Sequence, residues 1–134
     1  MTLEQNLNHW IQGALEKCDV VRIESTTENG IPDMSTCHMG IEAWIECKII
    51  HGWKVLLRKE QYAWGSRRTH HGGNICLIAY DPKHDKLFGY RFPLVAMPEG
   101  DNKYVRVESE PDFVIIRSDP ASKILLKKFL YPGT

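Results

Sequence analysis

The chain has 134 residues, of which 43% are hydrophobic and 25% charged, with 17 basic and 17 acidic side chains balancing to zero formal charge. These values fit one folded domain that needs neither disulfides nor a structural metal to bury a core, and they exclude disorder, collagen-like repeats and coiled coil for the whole chain. Zero net charge also excludes binding to nucleic acid by bulk charge alone, though not through a local basic surface.

The opening residues lack the basic-then-apolar pattern of a secretory signal, and no apolar run approaches the ~18 residues of a spanning helix. The expectation is a cytoplasmic protein with no membrane segment. Cys18, Cys37, Cys47 and Cys76 form no CxxC pair and read as small apolar residues in a reducing compartment.

Thr2-Leu3-Glu4-Gln5 fits a capping box. Behind it Leu3, Leu7, Trp10, Ile11, Ala14, Leu15 and Cys18 recur at helical spacing, which predicts a helix over residues 3–17. Residues 20–23 read as a short strand, and residues 26–30 as turn chemistry ending in Asn29-Gly30. A second strand is predicted to begin at residues 31–34, and a third, rich in Ile and Trp, to run over 41–50 until His51-Gly52. Residues 58–71 are helical in pattern and stop at Gly72-Gly73. Residues 74–80 form a nearly continuous apolar run, as in a strand buried on both faces. Beyond them, 86–92, 104–107 and 113–117 are candidate strands and 97–102 a loop. Asp119-Pro120 supplies an N-cap and N1 pair for a helix ending near Leu130. Without a repeat or linker the reading is a single α/β domain over 1–134, with an αβββαβ core over about 1–81 and a β/α extension over about 82–134.

The informative chemistry lies in Pro32-Asp33 followed by Glu46-Cys47-Lys48. The chain has three acid-x-Lys triplets, but Asp81-Pro82-Lys83 and Asp101-Asn102-Lys103 lie in turn-like segments. Only Glu46-Cys47-Lys48 sits inside a strongly apolar strand. Alternation puts Glu46 and Lys48 on one face, about 7 Å apart along it. Opposite charges there are costly to bury unless paired or bound to a metal. A hairpin brings Asp33 beside them. Two carboxylates can hold Mg²⁺, a hard cation that prefers oxygen ligands. With Lys48 to orient water or stabilise phosphate charge, the set suits phosphodiester hydrolysis. The competing reading is a buried ion pair of structural value only.

Pro32-Asp33 and Glu46-Cys47-Lys48, on the second and third strands of an αβββαβ order, resemble the PD-(D/E)XK nuclease superfamily. More narrowly, Gly30-Ile31-Pro32-Asp33, then Glu46-Cys47-Lys48, then Gln61-Tyr62-Ala63-Trp64 before a Gly-ended helix, is similar to the VRR-NUC and phage nuclease branch, allied to archaeal-type Holliday junction resolvases. The resemblance covers residues 1–80. It implies a restriction-endonuclease-like fold, with a mixed central sheet flanked by helices. It implies Asp33 and Glu46 as metal ligands, the Cys47 carbonyl as a further ligand, Lys48 as the catalytic lysine and Gln61 near the site. It also implies Mg²⁺ as cofactor with Mn²⁺ substituting, DNA as substrate and a homodimer. Many relatives contribute an acid from the first helix. Glu4 is the candidate, because it falls within the apolar arc of the helical wheel, although an acid also simply favours a helix N-terminus.

Arg58, Lys59, Arg67, Arg68, His70 and His71 crowd the second helix and suit phosphate contact. Ser25 is read either as a phosphate contact or as a turn serine bonding its own backbone. Adjacent Cys37-His38 and His70-His71 do not suit one zinc tetrahedron. The function implied is a metal-dependent endonuclease, with structure-selective cutting of branched, flap or junction DNA. The alternative is a non-catalytic nucleic-acid-binding or assembly module on the same fold.

Overall fold

The computed structural model describes residues 1–23, 30–107 and 111–134. Chain order is α1 (Leu3–Ala14), β1 (Asp19–Arg22), β2 (Met34–His38), β3 (Ile41–Ile49), β4 (Lys54–Leu57), α2 (Lys59–His70), β5 (Ile75–Asp81), β6 (Lys86–Arg91), β7 (Met97–Glu99), β8 (Asn102–Arg106), β9 (Phe113–Ile116) and α3 (Ser122–Leu130). A six-stranded sheet has the order β1-β2-β3-β5-β6-β9, and a second sheet the order β4-β8-β7. Among the described residues, β3 and β5 alone pair in parallel; their connection carries α2, as a parallel crossover requires. The central sheet is therefore mixed and flanked by helices.

Alternation along the strands divides the core. Ile45 and Cys47 of β3 and Ile78 of β5 pack with Leu7 and Ile11 of α1 and with Leu126 and Leu130 of α3. On the opposite face Leu77 and Ala79 pack with Trp64 of α2 and with Val55, Leu57 and Val105 of the small sheet. The predicted capping box forms: Gln5 N–H donates to Thr2 Oγ1 at 3.1 Å, and Thr2 N–H to Gln5 Oε1 at 2.8 Å.

Several boundaries differ from the sequence reading. β2 begins at Met34, not at Ile31, because Pro32 has no N–H for a ladder. Gly30 has φ +90°, and a Cβ there would lie 2.2 Å from the Glu60 carbonyl oxygen. The segment before β2 thus runs against the start of α2 in a conformation reserved for glycine. Residues 54–57 are a strand, and 97–102, read as a loop, belong to a hairpin turning at Gly100-Asp101. α3 starts at Ser122, because Asp119 caps a preceding turn by accepting from Ala121 N–H at 2.8 Å. β6 and β9, from the predicted extension, complete the central sheet, and β8 pairs with β4 from the predicted core.

Candidate active site

The β2–β3 register pairs Met34 with Ile45. One step further along that register, Asp33 stands opposite Glu46 at the point where β2 has ended. β3 continues past it, which leaves the outward backbone of Cys47 without a strand partner. Asp33 Oδ2 fills that position, accepting from Cys47 N–H at 2.8 Å. The N–H and C=O of one strand residue leave along the same edge, so the Cys47 carbonyl faces this side as well.

The first turn of α1 brings a third acid to the same place. Ligand atoms of Glu4, Asp33 and Glu46 all lie within 4.8 Å of one another, the one such cluster of His, Cys, Asp or Glu among the described residues. Lys48 Nζ is 3.6 Å from Glu46 Oε2. The side chains lean together although their Cα atoms are a full pleat apart. Gln61 closes the arrangement from α2. Its Nε2 donates to Glu46 Oε2 at 3.2 Å, while its Oε1 accepts from Arg58 N–H at 3.0 Å and so caps the helix. Those two bonds fix which way the amide points.

Glu46 is 4% exposed. Burial, reinforced by the charge of Asp33 and only partly offset by Lys48, pushes its carboxyl up to about 8. Burial also raises Glu4, with Lys48 opposing the shift and Asp33 adding to it. The cluster carries more carboxylate than its one lysine neutralises. All of its donors are oxygens, the set a hard divalent cation prefers. A cleft of about 460 Å³ opens beside it, lined in part by Glu4, Asn8, Arg22, Asp33 and His51. The N-termini of α1 and α2 both end here, adding partial positive charge.

Two more residues belong to this surround: Asn8 of α1, and Arg22, a basic residue ahead of the Gly-x-Pro-Asp segment. Asn8, 3% exposed, donates through Nδ2 to the Glu4 carbonyl at 3.1 Å and accepts from Arg22 Nη1 at 2.6 Å. Arg22 Nη1 also lies 3.4 Å from the Asp33 carbonyl oxygen. The pair ties α1, β1 and the Asp33 segment together. The i, i+4 spacing of Glu4 and Asn8 was readable; the link to Arg22 was not.

The basic patch of α2 is divided. Arg58 caps the helix beside the cleft, whereas Arg67 and Arg68 lie about 15 Å away at the other end. Arg68 is exposed, with its guanidinium 4.6 Å from the Trp64 ring and 5.4 Å from the Trp44 ring. Trp64 is buried against Trp44, as its spacing from Gln61 predicts. Ser25 lies outside the described residues. The other two acid-x-Lys triplets straddle strand ends: Asp81 closes β5, accepting from Lys83 N–H and paired to His84, while Asn102 and Lys103 open β8. On α3, Ile124 and Leu125 are exposed. Phe129 instead stacks on Phe113 at 5.0 Å inside the protomer. Among the described residues no helix is long and apolar enough to cross a membrane.

No protein-family model matches the sequence, and no curated protein is similar to it. Among solved structures the chain is similar to Hjc from Archaeoglobus fulgidus, a Holliday junction resolvase, with a TM-score of 0.60 and 11% identity. The match covers 78% of this chain and 84% of that one. At that identity the likeness establishes architecture: the chain has a resolvase-type, restriction-endonuclease-like fold.

Proposed function

We propose that this chain is a divalent-metal-dependent endonuclease of the PD-(D/E)XK type, allied to the VRR-NUC branch, that hydrolyses DNA phosphodiester bonds at branched, flap or junction structures. The observation that carries this reading is the convergence of Glu4, Asp33 and Glu46 within 4.8 Å, with the Lys48 ammonium 3.6 Å from Glu46. Asp33 and Glu46 would hold Mg²⁺ or Mn²⁺, with the Cys47 carbonyl and Glu4 as further ligands. An oxygen-only donor set holding excess negative charge fits such a cation. When bound, the cation supplies Lewis acidity toward phosphate oxygens and water.

The chain's own groups do the rest. Lys48 donates to the phosphate oxygens as their charge grows and orients the attacking water. Gln61 holds one oxygen of Glu46 and thereby aims the other into the cleft. Asn8 and Arg22 fix Asp33 and the first turn of α1. Arg58 and the two helix N-termini favour a phosphate at the cleft mouth. Arg67 and Arg68 bear on the DNA backbone further along. Exposed Ile124 and Leu125 supply an apolar face for a homodimer, and the setting is cytoplasmic.

The test is incubation with linear, flap, Y-form and four-way DNA in Mg²⁺, Mn²⁺ or EDTA. Cleavage with either metal and none in EDTA is the expected result. Full cleavage in excess EDTA contradicts the carboxylate mechanism. DNA binding with no cleavage under any condition leaves the non-catalytic module.

A further inference from the structure

The small sheet carries a surface that the acid cluster does not use. Val55, Leu57 and Val105 are buried beneath it. Alternation then turns Lys54, Leu56, Tyr104 and Arg106 to its outer side, with Met97 and Glu99 of β7 beside them. Trp53 stands at the end of this face, 49% exposed, edge-on to Tyr104 with ring centroids 5.4 Å apart. Lys54 Nζ is 5.5 Å from the Trp53 ring and 5.3 Å from the Tyr104 ring. The Arg106 guanidinium is 5.2 Å from the Trp53 ring. Among the described residues, the acids on this side are Glu99, paired with Lys54, and Asp101 at the turn.

Rings interleaved with cations are a poor match for an apolar protein partner, which would have to desolvate Lys54 and Arg106. They match a strand of unstacked bases. Aromatic faces accept bases of any sequence, and neighbouring cations take the phosphates. The position fits too. His51 lines the acid cleft. His51 and Lys54 exchange backbone hydrogen bonds of 3.2 and 3.4 Å, closing the turn that holds Trp53. The Cα atoms of His51 and Trp53 are thus at most ~7 Å apart. Val107 N–H, donating to the Trp53 carbonyl at 2.9 Å, anchors the turn from the other side.

We infer that the Trp53–Tyr104 face binds the unpaired bases of single-stranded DNA continuing from the cleft, by stacking, with Lys54 moving from the rings to the phosphates. This deepens the nuclease reading, which supplies the direction of the strand, but binding is measurable without cleavage.

The experiment compares, in EDTA, the affinity of a blunt duplex with that of the same duplex bearing an oligo-dT tail. The protein is tested as wild type, Trp53→Ala and Trp53→Phe. Wild type should bind the tailed duplex about tenfold or more tightly than the blunt one. Trp53→Ala should remove most of that ratio, and Trp53→Phe should keep most of it. The tail, and not the blunt duplex, should quench the fluorescence of wild type in proportion to occupancy. A ratio of one in wild type, or a ratio unchanged by Trp53→Ala, overturns the inference while cleavage assays leave the nuclease standing. A concentration-dependent dimer abolished by Trp53→Ala, with the ratio unchanged, gives the face to a second copy and also overturns it. Absence of binding to any DNA together with absence of cleavage overturns both readings.

Discussion

Two charged clusters sit side by side at the same end of the central sheet, since Lys48 pairs with Ala79 and Ile49 with Tyr80. Around Asp85 everything is matched. Tyr80 Oη donates to it at 2.7 Å, Arg117 Nε at 3.0 Å and Ser118 N–H at 3.0 Å. These bonds, those from Ser118 and Tyr80 foremost, pull its carboxyl down to about 2. Around Glu46 the balance is reversed: three carboxylates share one lysine, and burial drives Glu46 up to about 8. The first cluster is complete as folded. The second holds a buried acid in the form least suited to a salt bridge, which fits the cation site proposed for it. A structural ion pair and a metal site are both built from acids and bases; their carboxyl shifts point in opposite directions.

The largest separation between the clusters should appear in catalysis. Asp33→Ala, Glu46→Ala and Lys48→Ala should each lower plasmid nicking by at least about a hundredfold. Arg117→Ala should leave it within about twofold. Comparable losses in Arg117→Ala and Lys48→Ala would erase the distinction.

Stability should show the reverse order. Arg117→Ala removes a donor from Asp85 and Tyr80 and should cost about 1 kcal/mol once solvent screening is allowed for, a fall of roughly 2–5 °C in Tm. Lys48→Ala should cost less than that, because a metal-free Glu46 keeps its proton near neutral pH and is not left as a bare buried charge. A fall equivalent to 3–5 kcal/mol in Lys48→Ala would instead mark a structural ion pair.

The pH profile sharpens the comparison further. Glu46 is raised on folding, so the stability it lends is full below its unfolded value near 4.5 and is lost as pH rises through about 8. Asp85 is lowered, so its contribution is present above 3.8 and is lost as pH falls through about 2. Melts in EDTA should therefore weaken toward both extremes. Glu46→Gln should flatten only the alkaline limb, and an unchanged alkaline limb in that variant would assign the effect elsewhere.

The site was partly legible in the sequence for a local reason. Glu46 and Lys48 interrupt an apolar strand, and Gly30, Pro32 and Gln61 stand at positions fixed by one turn and one helix start. The small sheet was not legible. Its strands have four, three and five residues and carry lysines and arginines. Lys54 pairs with Arg106, far along the chain, and no local pattern announces such a pairing. The brace between Asn8 and Arg22 was hidden similarly, since a polar residue on a helix reads as surface until a neighbour from another element covers it. Arg58 stands apart from Arg67 and Arg68 because sequence proximity on a helix does not place residues at one end of it.

Calorimetric titration of Mn²⁺ into wild type and Glu46→Gln near pH 7, in buffers of different ionisation enthalpy, tests the central claim most directly. The account predicts saturable binding by wild type that releases about one proton per cation as Glu46 ionises, and loss of both the site and the proton in the variant. Binding of equal strength in Glu46→Gln, or no binding by wild type at millimolar Mn²⁺, would contradict it.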